Sequence, residues 1–223
     1  MPHSYSESIL LFFYHYKNAT SASPMAKYMK GQFEFLGIPS PRRKFLLKEF
    51  ILSNGLPTKE ELSRVMKDLW ESPYREMQYV AIDTWDKMRK HLVPNDIKLI
   101  EYLIVHKSWW DTVDFLASHA AADFFKKFPA EMRPVTSRWI HSNNMWLQRS
   151  AILFQVHYKD KTDQKLLYQY IAQQCSSKEF FIQKAIGTAL RQYAKIAPKS
   201  VYHFVSSTDL APLSKREALK HIG

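Results

Sequence analysis

One glutamine recurs in similar company at intervals that a pair of helices would dictate. The stretches Glu76-Met77-Gln78-Tyr79-Val80-Ala81, Trp146-Leu147-Gln148-Arg149-Ser150-Ala151 and Phe181-Ile182-Gln183-Lys184-Ala185-Ile186 put it at 78, 148 and 183. The last two are 35 residues apart and the first two 70, twice that step. Such a period holds one helical hairpin, and a fixed period means that each hairpin buries its neighbour's apolar face. Stepping the same interval through the gap reaches Val113, and one step towards the N-terminus reaches Arg43.

Helix punctuation agrees with this reading. Helices are expected over 5–16, from Ser23-Pro24 to a stop at Gly37, and from Ser40-Pro41 to Gly55. Further ones start at the capping box Thr58-x-x-Glu61, at Pro73 (through Trp85 towards Leu92), at Asn95 (to His106) and at Ser108, fading near Pro129. The rest lie at roughly 130–141, 144–158, 162–175, 178–196, 198–206 and 213–221, with Ser176-x-x-Glu179 and Ser214-x-x-Glu217 as two more capping boxes. Connections are short, so consecutive helices are expected to pack antiparallel, in the manner of HEAT-type repeats. Only 5 Gly stand against 11 Pro with no Gly-rich turns, which argues against an all-β fold. No linker or low-complexity stretch divides the chain, so residues 1–223 are expected to form a single domain.

Charge narrows the partners. The chain has 32 Lys+Arg against 21 Asp+Glu, a formal charge of +11, and a sequence pI near 9.6. That balance favours polyanions, nucleic acid before anionic membrane, with a merely solvated basic surface as the bland alternative. A single cysteine, Cys175, excludes an internal disulfide and fits a reducing cytoplasm. The apolar run Ile9–Phe13 is too short to span a bilayer, and no longer one occurs, so an intracellular protein without a membrane anchor is expected.

Chemistry concentrates in Ser108-Trp109-Trp110-Asp111-Thr112-Val113-Asp114. Ser108 reads as an N-cap, with Asp111 completing the capping pattern. Trp110 and Asp114 are four apart and share a helical face, which sets an indole one turn from a carboxylate. The alternative is a core Trp with Asp114 simply solvated. Across the repeats, the position after each register residue holds Lys44, Tyr79, Asp114, Arg149 and Lys184. In a stack of hairpins such positions form a ladder, usually on the concave face, and Asp114 and Arg149 become neighbours. Inter-repeat salt bridging alone would explain Arg149 and Lys184, and exposed pairs contribute only about 0–1 kcal/mol.

Several enzyme classes lack their motifs. There is no Gly-x-x-x-x-Gly-Lys, Gly-x-Gly-x-x-Gly, His-Glu-x-x-His or Gly-x-Ser-x-Gly, so neither a nucleotide cradle nor a serine nucleophile is expected. The 9 His are scattered without a cysteine cluster, so no metal and no cofactor are expected. His119 could serve as a base, but a core-edge histidine is the plainer reading. What remains is a basic surface with aromatic plates and one carboxylate, which suits chemistry on DNA. A carboxylate can stabilise positive charge developing at an anomeric carbon, and an indole face attracts a cation by roughly 0.5–2 kcal/mol.

These residues carry a resemblance. The blocks Pro24-Met25-Ala26-Lys27-Tyr28-Met29, Lys107–Asp114, Trp146–Arg149, Ser177–Gly187 and Leu210–Ala218 resemble the bacterial DNA alkylation-repair glycosylases with HEAT-like repeats, the AlkD family, over essentially the whole chain. The resemblance implies an all-α, right-handed superhelical solenoid of antiparallel hairpins with a concave basic face. It implies metal-free, monofunctional excision of cationic N3- and N7-alkylated purines such as 3-methyladenine and 7-methylguanine from duplex DNA. An abasic site would be left, without a base-flipping pocket. By matching position, Asp114 becomes the catalytic carboxylate, Trp110 the indole against the deoxyribose, and Arg149 the residue that orients the carboxylate and holds a phosphate. The DNA-contacting set expected with them is Tyr28, Arg43, Lys44, Tyr79, Trp109, Gln148, Lys184, Thr188, Lys215 and Arg216, in a monomer acting in the cytoplasm. Thr188 departs from the family's usual Gly-Trp continuation after Gly187, and a hydroxyl supplies no π face. Two other readings stay open: a non-enzymatic binder of damaged, distorted or branched DNA, and a helical scaffold for an acidic protein.

Overall fold

The computed structural model describes residues 4–220, and every regular element among them is a helix. In chain order these are α1 (Ser4–Tyr14), α2 (Ala19–Tyr28), α3 (Ser40–Asn54), α4 (Lys59–Glu71), α5 (Arg75–Met88), α6 (Asp96–Val105) and α7 (Trp110–Phe115). There follow α8 (Ala122–Lys127), α9 (Pro129–Ile140), α10 (Met145–Leu153), α11 (Gln164–Gln174), α12 (Phe180–Ala194), α13 (Pro198–Ser207) and α14 (Pro212–Ala218). The chain divides into two units, Met1–Leu99 and Ile100–Gly223.

The repeat is real at the level of backbone. Helices α3, α5, α7, α10 and α12 begin at residues 40, 75, 110, 145 and 180, a constant step of 35. At three of the five starts the recurring glutamine fastens the turn before the helix. Ser72, Ser142 and Ser177 each accept, on Oγ, the backbone N–H two residues on, at 3.3, 3.0 and 3.3 Å. The carbonyl of each serine accepts the glutamine amide six residues on: Gln78 at 3.0 Å, Gln148 at 2.6 Å and Gln183 at 3.0 Å. A turn carbonyl removed from water needs a partner, and here the helix after the turn supplies it. In the two registers without glutamine the residue six before takes a left-handed backbone instead: Lys107 before Val113 (φ 46°) and Gly37 before Arg43 (φ 86°).

Several helix boundaries depart from the sequence reading. The second helix starts at Ala19, because Asn18 caps it by accepting the Ser21 N–H at 3.2 Å, and Pro24 lies inside it. It ends before the turn at Lys30 and Gly31 (φ 59° and 70°), not at Gly37. Ser108 is not an N-cap: its hydroxyl donates to the Ile104 carbonyl at 2.6 Å, and Trp109 occupies the cap position of α7 with no side-chain cap bond. The boxes at Ser176 and Ser214 also fail. Glu179 is the cap residue of α12, while Ser214 lies within α14 and donates to the Gln183 carbonyl at 2.9 Å. The box at Thr58 and Glu61 is formed as read, and α3 ends at Gly55 as expected.

In the first unit, α4 packs on α5 and α3 on α5. The core holds Phe13, Leu46, Val65, Trp70, Met77 and Trp85, each at most 2% exposed. A buried carboxylate organises it. Glu76 accepts three backbone N–H groups, from Leu36 at 2.9 Å, Gly37 at 2.8 Å and Ile38 at 3.0 Å. The extended segment so gripped also caps α2 from outside, the Asn18 N–H donating to the Leu36 carbonyl at 2.8 Å.

In the second unit, α10 packs between α7 and α12, with α9 and α11 behind it, and α12 packs on α14. Residues Leu116–Ala121 form a π-helical segment that joins α7 to α8 without a break. The core runs through Val113, Phe124, Trp139, Ile152, Phe154, Ile182 and Leu190. Gly187 is required where α12 meets α14: a Cβ there would lie 2.4 Å from the Glu217 Cβ.

Candidate functional site

Constant helix phase brings equivalent positions of neighbouring repeats side by side. Asp114 on α7 and Arg149 on α10 meet in two parallel bonds, Nε to Oδ1 at 2.7 Å and Nη2 to Oδ2 at 2.8 Å. Paired guanidinium–carboxylate bonds of this kind fix orientation as well as distance. Arg149 Nη1 donates to the Phe181 carbonyl, so the next repeat steadies the guanidinium from behind. The burial is unequal: the Arg149 side chain is 6% exposed and that of Asp114 is 38%. The carboxylate is therefore held from the protein side with lone pairs left towards solvent. Of five guanidinium N–H groups, three are committed, and two remain for another acceptor.

Aromatic residues lie on the Arg149 side of the pair, the guanidinium 5.9 Å from the Phe181 ring centre. Trp109 packs against Trp146 (centroids 6.0 Å apart) and Phe181 (5.1 Å), and Trp146 against Phe181 (5.0 Å). Trp109 is thus part of a half-buried cluster, its indole nitrogen buried without an acceptor among the described residues. Trp110 opens α7 one turn before Asp114 and is half-buried, as is Thr188 on α12. Gln148 spends its amide nitrogen on the Ser142 carbonyl, a structural duty that its sequence setting did not reveal.

Lys184 continues the row but is engaged. It meets Glu217 of α14 at 3.1 Å, and Arg191 reaches the other Glu217 oxygen at 2.7 Å. The Lys184 hydrogen bond, then the charges of Lys184 and Arg191, hold the Glu217 carboxyl below the usual glutamate range despite its burial. A depressed folded-state value means stability present above the ordinary glutamate pKa of about 4.3 and lost as pH falls through the lower, folded value. Acid titration of unfolding should show this limb in wild type, and Glu217→Gln should flatten it below about pH 4. Equal acid sensitivity in both proteins would count against it. Lys215 is half-buried and Arg216 exposed on α14.

The first unit holds its own group of expected residues. Tyr28, Arg43 and Tyr79 border a cavity of about 480 Å³ together with Met25, Met29 and Phe35. Tyr28 is 69% exposed. Arg43 is buried, donates to Asp83 at 3.3 Å, and lies 4.8 Å from the Tyr79 ring centre. Its neighbour Lys44 is exposed. Among the described residues no group of three or more His, Cys, Asp and Glu could hold a metal ion, and no helix is long and apolar enough to cross a membrane.

Comparison with known proteins gives these residues a context. A solved structure, that of a predicted DNA alkylation repair enzyme from Enterococcus faecalis, superposes with a TM-score of 0.87 at 33% sequence identity. The match covers 93% of this chain and 97% of that one. No curated protein matches. The family model described as DNA alkylation repair enzyme spans residues 10–222. On these grounds the chain, all-α and built on a helical repeat, belongs to the DNA alkylation repair enzyme family.

Proposed function

We propose that this protein is a DNA glycosylase that hydrolyses the N-glycosidic bond of cationic N3- and N7-alkylated purines, 3-methyladenine and 7-methylguanine, in duplex DNA. The observation that carries this reading is the Asp114–Arg149 pair: a carboxylate fixed by two bonds to a buried guanidinium, yet 38% exposed, in a chain of this family. An alkylated purine already bears positive charge, so the C1′–N bond breaks with its electron pair moving to the base, which leaves neutral. The deoxyribose becomes oxocarbenium-like, and the exposed side of Asp114 stabilises it electrostatically. Water then bonds to C1′, its proton passing to the carboxylate and on to solvent, and an abasic site remains. Arg149 is a positioning residue in this scheme, with two N–H groups to spare for a backbone phosphate. Trp110 offers its indole face to the sugar cation.

In this reading Tyr28, Arg43, Lys44, Tyr79, Trp109, Gln148, Lys184, Thr188, Lys215 and Arg216 serve DNA binding within one functional domain. The enzyme acts as a cytoplasmic monomer with no metal or cofactor, and the base is not extruded into a deep pocket. The test is release of 7-methylguanine from methylated duplex, run on wild type beside Thr188→Trp. Wild type should release the base, and the added indole should raise the rate about tenfold, the worth of one cation–π contact of roughly 1–2 kcal/mol. The sequence at position 188 favours a second reading. The resemblance implies an aromatic where this chain has Thr188, and a member without that contact could bind distorted DNA without cleaving it. Tight duplex binding with no release by either protein would decide for that reading.

A further inference from the structure

A second pair joins the same two repeats. Five residues beyond Asp114 is His119, and eight beyond Arg149 is His157; their ring centres are 5.1 Å apart. Both are exposed. His119 is nonetheless fixed in place. Its ring stacks on Phe115 (4.4 Å, interplanar angle 6°), and its Nδ1 lies 2.9 Å from the Ser118 hydroxyl. That hydroxyl donates its proton to the Asp114 carbonyl at 2.6 Å, so its oxygen is left to accept from Nδ1–H. In neutral His119 the outer nitrogen, Nε2, is then a bare acceptor, and it becomes a donor only when the ring takes up a proton.

The surroundings are cationic. His157 faces His119, Lys126 and Lys195, and burial followed by these charges holds its imidazolium below the usual histidine range. Lys126 is balanced by Asp123 at 3.0 Å. Among the described residues no carboxylate hydrogen-bonds to either imidazole, and none pairs with Lys195. Two histidines and a lysine drawn together without an acid repel one another when charged, and an anion among them reverses the sign. The π-helical segment Leu116–Ala121, which carries His119, starts two residues after Asp114. Segments of this type concentrate at functional sites.

We propose that His119, His157 and Lys195 form a proton-gated contact for a DNA backbone phosphate, in the same unit as the Asp114–Arg149 pair. The inference rests on the DNA-processing reading and adds to it a specific anion site and a pH dependence. Phosphodiesters stay charged across the physiological range, so the protons taken up on binding belong to the protein. Affinity for DNA therefore rises as pH falls, and because His157 is held below the usual histidine range the rise extends to below about 6.5. The site carries no sequence information; it sets position on the strand.

The experiment measures the affinity of wild type, His119→Gln/His157→Gln and Lys195→Gln for a short undamaged duplex, at fixed ionic strength, between about pH 8 and about pH 5.5. Wild type should tighten about tenfold more than the double variant across that interval, while the two agree within about twofold at the upper pH. Lys195→Gln should lower the salt slope of binding by about one at both pH values, a readout that holds even if the double variant folds poorly. Equal pH dependence in wild type and double variant, or a salt slope unmoved by Lys195→Gln, overturns this inference alone. Failure of all three proteins to bind duplex at any pH overturns the DNA reading and this site with it.

Discussion

Asp114→Asn is expected to slow release of 7-methylguanine from methylated duplex by at least about a hundredfold, roughly 2.7 kcal/mol of transition-state stabilisation. Asparagine keeps the shape and most of the packing but removes the charge that faces the sugar cation. It also offers one acceptor oxygen where Arg149 now donates two bonds, Nε at 2.7 Å and Nη2 at 2.8 Å. One N–H of a buried guanidinium then loses its partner, which costs about 1–3 kcal/mol of stability. Unfolding must therefore be followed beside the kinetics. Binding to duplex containing an abasic-site analogue should change little, because Asp114 is an anion in a chain of formal charge +11 and its loss removes no phosphate contact. Single-turnover base release together with abasic-site affinity separates the possibilities. Unchanged release by a folded variant would remove Asp114 from the chemistry. Loss of both release and binding would make the pair a structural device instead.

How much of this was legible in advance depended on whether a residue's partner could be counted from the sequence. The Asp114–Arg149 pair could be: both sit one residue after a register position, 35 apart, and equal helix phase makes such residues neighbours. The helix starts at 75, 145 and 180 follow from the same arithmetic, each behind a serine–glutamine turn at the same place in its repeat, and those at 40 and 110 keep the step without one. Caps were less legible, since Ser, Asn and Glu each have several competing uses. Ser108 closes the preceding helix, Ser214 reaches across to α12, and Glu217 serves Lys184 and Arg191 rather than its own helix terminus. For Ser214 and Glu217 no local pattern distinguishes the outcome from a capping box, because the deciding partner lies 31 residues away for Ser214 and 26 for the Glu217–Arg191 pair. The His119–His157 pair was hidden for a related reason. Its spacing of 38 falls outside the repeat, and the π-helical segment that carries His119 leaves no mark in a pattern of apolar residues.

Glu76 was equally hidden, and its removal should have the largest effect on stability. An acid early in a helix ordinarily complements the positive end of the helix dipole in solvent. This one is fully buried and accepts the N–H groups of Leu36, Gly37 and Ile38. Glu76→Ala strands three buried donors at about 1–3 kcal/mol each, partly relieved by water entering the space, so a loss of about 4 kcal/mol is expected. Glu76→Gln retains one acceptor oxygen but turns an NH₂ towards a donor, and should fall between wild type and alanine. The segment has little freedom to adjust. Gly37 has φ +86°, and any Cβ there would meet the Asn18 carbonyl oxygen at 2.0 Å, so the backbone is pressed against the start of α2. Because α2 carries Tyr28, loosening the segment should also expose the Lys30–Gly31 turn to proteolysis before the second unit is affected. Denaturant unfolding with limited proteolysis tests both points. If Glu76→Ala remains within about 1 kcal/mol of wild type, the three amides must find other acceptors, and the clasp is not what fixes α2.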